Sequence, residues 1–389
     1  MCVSIQDVKR YLLYVILVAL VSLFIFWAPF LLHVDKFWGI KFDRSGMDSI
    51  VSNFDGINFL VVEKSWYDPA KITEINRSFL TGNDPVYFSA HYPVYAGVIW
   101  VFDQFMSGPN AVLASIVVSN VLLAFGLFMF FREVFKKDYV AFVLSLVALF
   151  YPARMLSVRS VGSTEPIFLF LVLSSLVFAM RKKHWIAGLF GALAVLTRGP
   201  GILLFAGYLI MYVVQYRKDV VNGFKSIVPY LQIPFALVGL WLFYGFRYGS
   251  FLAYFQSGDN IHLFFPPFQA LSNIQSWTSG MWLEDVVYIY VIFSIGLYLA
   301  WKMIKSRRSL LPLVSYGAIY MLMVFFVSHR DLARYSLPIV PLVLVGYGKD
   351  IVKSNIKWIL LGLVVPVYLL GWNFVLNNIQ AVNDWGVFL

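Results

Sequence analysis

The chain alternates between long apolar runs and short polar turns. A helix of about 20 apolar residues crosses a bilayer, and about eleven such stretches occur along the 389 residues, at 11–32, 111–131, 139–153, 165–180, 185–197, 200–216, 227–246, 285–301, 310–328, 333–348 and 358–377. Those at 139–153, 165–180 and 185–197 are short for a complete crossing. The pattern predicts an all-α polytopic membrane protein of about eleven transmembrane helices, forming a single domain over residues 1–389.

The composition agrees with a membrane protein and excludes several other classes. Of the residues, 60% are hydrophobic and 13% are charged, which is more apolar surface than a soluble core can absorb. The net charge of +10 is divided among short clusters between the apolar runs, so it offers no continuous basic groove for nucleic acid. The only cysteine, Cys2, excludes an intramolecular disulfide and a CxxC metal site.

Lysines and arginines set the predicted orientation of the spans. They cluster at the N-terminus and in five turns, which hold Lys9, Arg10; Arg132, Lys136, Lys137; Arg181, Lys182, Lys183; Arg217, Lys218, Lys225; Lys302, Lys305, Arg307, Arg308; and Lys349, Lys353, Lys357. The positive-inside rule places these segments, and with them the N-terminus, in the cytoplasm. The two long loops, 33–110 and 247–284, then face the extracytoplasmic or lumenal side.

The first long outer loop contains an acidic residue within an apolar repeat. Ile50, Phe54, Ile57 and Val61 recur at helical spacing around Asp55. This spacing predicts an amphipathic helix that lies in the membrane surface and presents Asp55 beside its apolar stripe. A carboxylate at the lipid–water boundary is well placed for chemistry on a lipid-borne substrate. The alternative is that Asp55 is one of several solvated acids in this loop.

A second interfacial helix is predicted later in the same loop. Val94, Val98, Val101 and Phe105 again step by helical intervals, within the segment from His91 to Met106. We expect this segment to lie flat beside or beneath the first interfacial helix without crossing the bilayer.

The second long outer loop, 247–284, is rich in aromatic residues and proline, among them Tyr254, Phe265 and Trp277. Aromatic rings of this kind favour bilayer interfaces and stacking on sugars or lipids. The composition fits either a substrate-facing lid or an interfacial cap.

Ionisable residues gather near the predicted outer ends of several spans. They are Arg154, Arg159, Glu165, Arg198, Glu284, Asp285, His329, Arg330, Asp331 and Arg334. Such groups at membrane depth are costly and usually have a partner. A phosphate would suit the arginines, because a guanidinium binds it through paired donors. The alternative is pairing within the protein, for instance Arg154 or Arg159 with Glu165, or Arg334 with Asp331.

Five short segments, in this order, resemble motifs of the GT-C superfamily of integral-membrane glycosyltransferases, in particular the PIG-V-like mannosyltransferases. They are Phe54-Asp55-Gly56-Ile57-Asn58-Phe59, Tyr87-Phe88-Ser89-Ala90-His91-Tyr92-Pro93-Val94-Tyr95, Ser163-Thr164-Glu165-Pro166-Ile167-Phe168, Thr197-Arg198-Gly199-Pro200-Gly201 and Arg334-Tyr335-Ser336-Leu337-Pro338. The match covers roughly residues 45–340 and departs from the family at Phe54, where tryptophan is usual.

The resemblance implies a polyprenyl- or dolichyl-phosphate sugar as donor, a lipid or glycan as acceptor, and no nucleic-acid partner. It implies that Asp55 is the general base of an inverting transfer, because a phosphate leaving group needs no acid. Donor and acceptor would be bound by Arg154, Arg159, Arg198, Arg330 and Arg334, with Glu165, His91 and Tyr92 orienting hydroxyl groups. No metal ligands are assigned, although a divalent cation between Asp55 and the phosphate stays open.

Two other functions fit a polytopic chain. A transporter or flippase for a lipid-linked or anionic substrate would carry charges near the bilayer midplane and internal repeats, whereas the charges here fall at span ends. A non-catalytic subunit of a glycan-assembly complex would tolerate substitution of Asp55.

Overall fold

A computed structural model of the chain describes residues 5–42, 46–79, 82–216, 226–275, 278 and 282–389. The basic turn with Arg217, Lys218 and Lys225, and Trp277 of the second long loop, lie outside these residues. Within the described residues, a short antiparallel hairpin joins β1 (Lys36–Phe37) to β2 (Ile40–Lys41). The remaining elements are helical.

The α-helices, numbered in chain order, are α1 (Ile5–Leu31), α2 (Met47–Val51), α3 (Gly56–Ser65), α4 (Pro69–Asn76), α5 (Pro93–Asp103), α6 (Gly108–Phe135), α7 (Asp138–Phe150), α8 (Arg154–Arg159), α9 (Glu165–Met180), α10 (His184–Val195), α11 (Leu203–Tyr216), α12 (Gln232–Tyr248), α13 (Ala253–Gln256), α14 (Leu283–Lys302), α15 (Leu311–Phe326), α16 (Leu332–Ser336), α17 (Val340–Lys353), α18 (Ile356–Gly362) and α19 (Val364–Leu376). Short 3₁₀ turns connect or extend several of them, at Pro85–Ala90, Gly199–Ile202, Val228–Leu231, Gln269–Leu271, Met303–Lys305, Arg308–Leu310, Leu337–Ile339 and Gly386–Phe388.

The predicted all-α polytopic architecture is confirmed, and each predicted apolar stretch coincides with a helix. In the described part of the chain, seven helical segments are long and apolar enough to cross a membrane, namely Val8–Leu31, Gly108–Phe135, Gly199–Tyr216, Val228–Tyr248, Leu283–Lys305, Arg308–Phe326 and Leu332–Lys353. The pair α18 and α19, bent by 42°, makes an eighth if it acts as one span.

The three stretches predicted to be short are short helices in the structure. They are α7, α9 and α10, with 13, 16 and 12 residues. At 1.5 Å per residue, helices of this length reach roughly 18–24 Å, less than the hydrocarbon thickness of about 30 Å. They pack tightly within the bundle, where α9 lies against both α6 and α10.

The stretch around Asp55 forms two helices, so the prediction of one continuous amphipathic helix is wrong. Helix α2 ends at Val51 and α3 begins at Gly56. Between them Phe54 adopts φ 49°, a left-handed conformation that interrupts a right-handed helix. Residues Gly56 to Glu63 of α3 are all buried, so this helix belongs to the protein interior.

Helix α5 packs beside α3, as predicted, but through a different face. Tyr95 and Ile99 are fully buried, and the Tyr95 ring meets Phe59 of α3 at a centroid distance of 5.1 Å. The predicted stripe is divided, since Val94 and Val98 pack against the core whereas Val101 and Phe105 are 49% and 83% exposed.

The last helix ties the end of the chain to the Asp55 turn. The Asn53 amide nitrogen donates to the Val375 carbonyl at 2.6 Å. In return, Gln380 donates from its side chain to the Phe54 carbonyl at 2.7 Å and from its backbone to the Ser52 carbonyl at 3.0 Å. These bonds supply the polar partners that a broken helix leaves unsatisfied. They fix the turn that carries Asp55.

A close backbone approach brings Asp55 towards Glu165. A Cβ atom at Gly162 would lie 2.5 Å from the Cα atom of Gly56, so only glycine fits there. Gly56 begins α3 directly after Asp55, and Gly162 precedes α9, which begins at Glu165. Two acidic residues that are far apart in sequence thus begin neighbouring helices.

Candidate active site

The starts of several helices and the loops between them surround one large cavity of about 1100 Å³. Four arginines line it, Arg154, Arg198, Arg330 and Arg334, together with Asp55, Asp259, Asp285 and Asp331. Further polar walls come from the end of α19 and the residues that follow it, Asn373, Asn377, Asn378 and Gln380. The cavity is large enough for a drug-sized or sugar-sized ligand.

Arg334 joins the two acidic residues that begin α3 and α9. Its Nη2 atom donates to Asp55 Oδ2 at 2.5 Å and to Glu165 Oε2 at 3.3 Å, and its Nε atom contacts Glu165 Oε1. The Asp55 side chain is 26% exposed, whereas that of Glu165 is 0% exposed. Asp55 therefore faces the cavity, while Glu165 lies behind it.

Glu165 also holds a second arginine. Arg198 Nη1 forms an ion pair with Glu165 Oε1, and the same nitrogen lies 3.5 Å from the Thr164 hydroxyl. One buried carboxylate thus anchors both Arg198 and Arg334 at the cavity wall. Burial of such a group is tolerated only because its oxygens receive several charged hydrogen bonds.

Arg154 pairs with Asp331 and not with Glu165. Its Nε atom lies 3.0 Å from Asp331 Oδ1, and its Cζ atom stands 3.3 Å from the centroid of the Phe374 ring. Phe374 stacks on Phe54 at 5.0 Å, and Phe54 in turn carries the Arg334 guanidinium at 4.9 Å. Aromatic faces attract guanidinium cations, so these two rings hold both arginines in place.

Arg330 is exposed and lines the same cavity. Among the residues that the structure describes, no carboxylate oxygen lies within ion-pair distance of it. It differs in this respect from Arg154, Arg198 and Arg334. Ion pairing within the described residues therefore accounts for three of the four cavity arginines, Arg154, Arg198 and Arg334.

His91 and Tyr92 lie close to each other but differ in access to the cavity. His91 lines it, with Nε2 3.3 Å from the Asn58 amide nitrogen and a buried Nδ1 that has no partner among the described residues. Tyr92 is 1% exposed and packs against the Tyr254 ring at 5.4 Å. Tyr92 thus supports the wall from behind, beside Gly199.

Arg159, predicted to bind substrate, lies inside the helix bundle and not at the cavity. It is 0% exposed. Its guanidinium donates to the carbonyls of Leu149 and Ala19, at 2.9 and 3.3 Å, and to the side chains of Asn120 and Ser22, at 2.9 and 2.7 Å. Its donors are consumed by α1, α6 and α7, which is a structural role.

The chain is similar to ArnT from Cupriavidus metallidurans, whose crystal structure is bound to undecaprenyl phosphate, with a TM-score of 0.55 and 14% sequence identity. The likeness covers 94% of this chain and 63% of the ArnT chain. No family model matches the sequence, and no curated protein does.

The fold is GT-C-like. The chain and ArnT therefore share this polytopic helical architecture. At 14% identity the likeness establishes architecture only.

The acidic residues do not assemble a metal site in the described part of the chain. No group of three or more His, Cys, Asp or Glu side chains there could hold a metal ion. Asp55, the residue that would bridge a cation to a phosphate, is bonded to Arg334. The described residues therefore contain no preformed metal cluster of their own.

Several cavity residues were missed by sequence reasoning. The amides Asn373 and Asn377 lie in the last apolar stretch, and Gln380 follows it, beyond the end of the motif resemblance. Asp259 sits in the aromatic loop 247–284 and lines the cavity beside Tyr254 and Ile261. That position favours a substrate-facing reading for this part of the loop. The polar run from Gln256 to Asn260, between Phe255 and Phe264, was the available signal.

Proposed function

We propose that the protein transfers a sugar from a polyprenyl- or dolichyl-phosphate donor to an acceptor hydroxyl, at the extracytoplasmic or lumenal face of its membrane. The single observation that carries this proposal is the array Asp55–Arg334–Glu165–Arg198 at one cavity of about 1100 Å³ in a GT-C-like fold. A base and several guanidinium groups at one site suit displacement of a phosphate leaving group.

Arg330 is the residue that we propose first meets the lipid phosphate. It lines the cavity and, among the described residues, has no carboxylate oxygen within 4.0 Å, and a guanidinium offers paired donors to phosphate oxygens. Arg334 and Arg198 keep their positions through Glu165. They add positive charge beside the oxygen on which negative charge develops as the donor bond breaks.

Asp55 is the proposed general base. The acceptor oxygen attacks the anomeric carbon of the donor sugar, the bond from that carbon to the phosphate oxygen breaks, and its electron pair leaves with the phosphate. Asp55 takes the proton of the acceptor hydroxyl, so one displacement inverts the anomeric configuration. The Arg334 contact positions the carboxylate, and arrival of the donor phosphate gives Arg334 a competing anion. This competition frees Asp55 to accept the proton.

The donor sugar that we propose is mannose. This part of the proposal rests on the five segments that resemble PIG-V-like mannosyltransferase motifs, including the one that contains Asp55 and the one that contains Arg334. The lipid carrier is proposed from the same resemblance and from the undecaprenyl phosphate that is bound to ArnT.

The test is incubation of the purified full-length protein with a panel of polyprenyl-phosphate sugars. Membranes of its host are added as the source of acceptor. Release of free polyprenyl phosphate, fastest with the mannosyl donor, is expected. Release with another sugar only would overturn the mannose assignment. Movement of an intact lipid-linked sugar across vesicles, without release of polyprenyl phosphate, would instead identify a flippase.

A further inference from the structure

A second polar wall of the cavity is formed by Asp259 and His329, with His262 behind them. Asp259 and His329 line the cavity. The His262 ring stacks on His329 at 5.0 Å, and its Nε2 atom lies 3.9 Å from Asp259 Oδ1. None of the assigned steps of the transfer uses this group.

Backbone hydrogen bonds hold this wall in place. Phe264 donates to the Phe326 carbonyl at 2.9 Å, and Ser328 donates to the His262 carbonyl at 3.1 Å. These bonds fasten the second long loop to the segment between α15 and α16. This attachment makes His262 and His329 neighbours, so backbone hydrogen bonds fix the position of the wall.

The hydrogen bond that His329 accepts determines which of its ring nitrogens carries the proton. Its Nδ1 atom accepts from the Asp331 backbone nitrogen at 3.0 Å, so in the neutral ring the proton is on Nε2. Burial, together with the neighbouring His262 and Arg334, lowers the pKa of His329 to about 4, so the ring is neutral at pH 7. It offers the cavity an uncharged N–H donor.

Asp259 offers the complementary acceptor. Burial raises the pKa of the Asp259 carboxyl, but the neighbouring His262 and the charges of His91 and Arg334 outweigh this effect, so the pKa lies below its usual value. The carboxylate is ionised at neutral pH. In the part of the chain that the structure describes, no Lys or Arg nitrogen lies within 4.0 Å of it, unlike Asp55 and Asp331.

We infer that Asp259 and His329 bind the hydroxyl groups of a sugar ring, and that this ring belongs to the acceptor. A carboxylate that accepts and a neutral imidazole that donates together match a pair of neighbouring hydroxyls, each of which can do both. An anionic ligand group would be repelled by Asp259 and would prefer the arginines around Asp55. The acceptor of the proposed transfer would therefore be a carbohydrate. This inference depends on the proposed function, because only a transfer reaction has an acceptor.

The test uses the purified full chain in lauryldimethylamine oxide, a detergent without a sugar headgroup. The probe is methyl α-D-mannopyranoside, and tetrahydropyran-2-methanol serves as a ring with one hydroxyl. The readout is the concentration that half-maximally raises the unfolding temperature. We expect the wild type to respond to the glycoside and not to the single-hydroxyl ring.

Two variants should weaken the glycoside response. Asp259→Asn and His329→Phe are expected to raise the half-maximal glycoside concentration about tenfold or more, since each loses a hydrogen bond to a sugar hydroxyl, in one case a charge-assisted bond. Phenylalanine at 329 keeps a ring against His262. The matched control is Asp48→Asn, which makes the same carboxylate-to-amide change at an exposed position of α2 outside the cavity lining and should leave the response unchanged.

A second arm separates acceptor from donor sugar. In the Asp55→Asn background, which is expected to block transfer, undecaprenyl-phosphate mannose is added to saturation before the glycoside. Continued glycoside binding supports an acceptor site, and displacement of the glycoside by the donor overturns it. A wild type that does not distinguish the two rings, or an Asp259→Asn variant that responds like the wild type, overturns the sugar site itself. Failure of undecaprenyl phosphate and of the loaded donor to stabilise any variant would instead contradict the proposed transfer.

Discussion

Arg334 donates to Asp55 at 2.5 Å across 279 positions of sequence, while the same guanidinium contacts Glu165. Arg334 lies in α16, Asp55 directly precedes α3, and Glu165 is the first residue of α9. Three separate parts of the chain thus meet at one planar group. Because a guanidinium carries five donors in a fixed fork, it can bond Glu165 permanently and still present an edge to Asp55 and to a ligand.

Asp55→Asn is expected to reduce sugar transfer by about 10²–10⁴-fold, the range that a general base typically contributes. The amide keeps the size of the side chain but cannot take the acceptor proton. Expression and membrane insertion should persist, because Arg334 keeps its contacts with Glu165. The measurement is release of polyprenyl phosphate from the preferred donor.

Asp48→Asn is the matched control for that substitution. Asp48 is an exposed acid of α2 in the same loop, so its loss should leave transfer within about twofold of the wild-type rate. An Asp55→Asn protein that transfers sugar at the wild-type rate would remove Asp55 from the chemistry.

Glu165→Gln is expected to destabilise the fold by about 3 kcal/mol or more, since removing one partner of a buried ion pair leaves an uncompensated charge. Here a single 0% exposed carboxylate serves both Arg198 and Arg334. Thermal unfolding of the purified protein, followed by intrinsic fluorescence, measures the loss.

Glu133→Gln is the control for Glu165→Gln, because Glu133 also forms two ion pairs but its partners are more exposed to solvent. Glu133 pairs with Lys136 and Arg181, whose side chains are 58% and 35% exposed. Exposed pairs contribute about 0–1 kcal/mol, so its loss should be small. Equal losses at the two positions would show that burial is not what makes Glu165 important.

Part of this site could be predicted from sequence because its residues sit in recognisable surroundings. Asp55, Arg198 and Arg334 fall in short segments that resemble known motifs, and Arg198 and Arg334 also lie at the ends of apolar stretches. The structure brings these three residues and Glu165 together. The assignment of roles within that group stays a prediction.

Other features depend on tertiary contacts that periodicity does not reveal. Helical spacing through Phe54 suggested one helix, but Gln380, which follows α19, bonds to the turn and stabilises a left-handed conformation there. Arg159 resembles Arg154 in sequence, since both stand near the same span end. Only the partners differ, carbonyls and neutral side chains for Arg159 and Asp331 for Arg154.

Arg159→Lys is expected to lower the free energy of unfolding by about 2 kcal/mol or more without changing the affinity for undecaprenyl phosphate. A lysine cannot reach the four acceptors on α1, α6 and α7 at once, and hydrogen bonds to charged groups contribute about 1.5–3 kcal/mol each. Arg330→Gln should do the reverse, with weaker lipid binding and unchanged stability. If Arg159→Lys weakened the binding of undecaprenyl phosphate more than Arg330→Gln did, Arg159 would be a lipid-binding residue.

Glu63 makes stability depend on pH. It is 4% exposed on α3, and its Oε2 atom has no hydrogen-bond partner among the described residues. Burial, opposed by Lys64 and assisted by Asp103, raises the pKa of Glu63 from 4.5 to about 7. Between these two values the unfolded chain is ionised at this position while the folded protein holds the proton, so the folded state binds more protons and stability falls as pH rises. Above about pH 7 the loss is complete.

Glu63→Gln removes this ionisation while Lys64 keeps its 2.7 Å pair with Asp103. The variant should match the wild type near pH 4.5 and exceed it by on the order of 2 kcal/mol at pH 8. Unfolding temperatures measured from pH 4.5 to 8 test this, with Glu74→Gln on exposed positions of α4 as the control that should track the wild type. Parallel curves for Glu63→Gln and the wild type would mean that the Glu63 carboxyl keeps an ordinary pKa in the folded protein, and that water or a rearranged Lys64 reaches it.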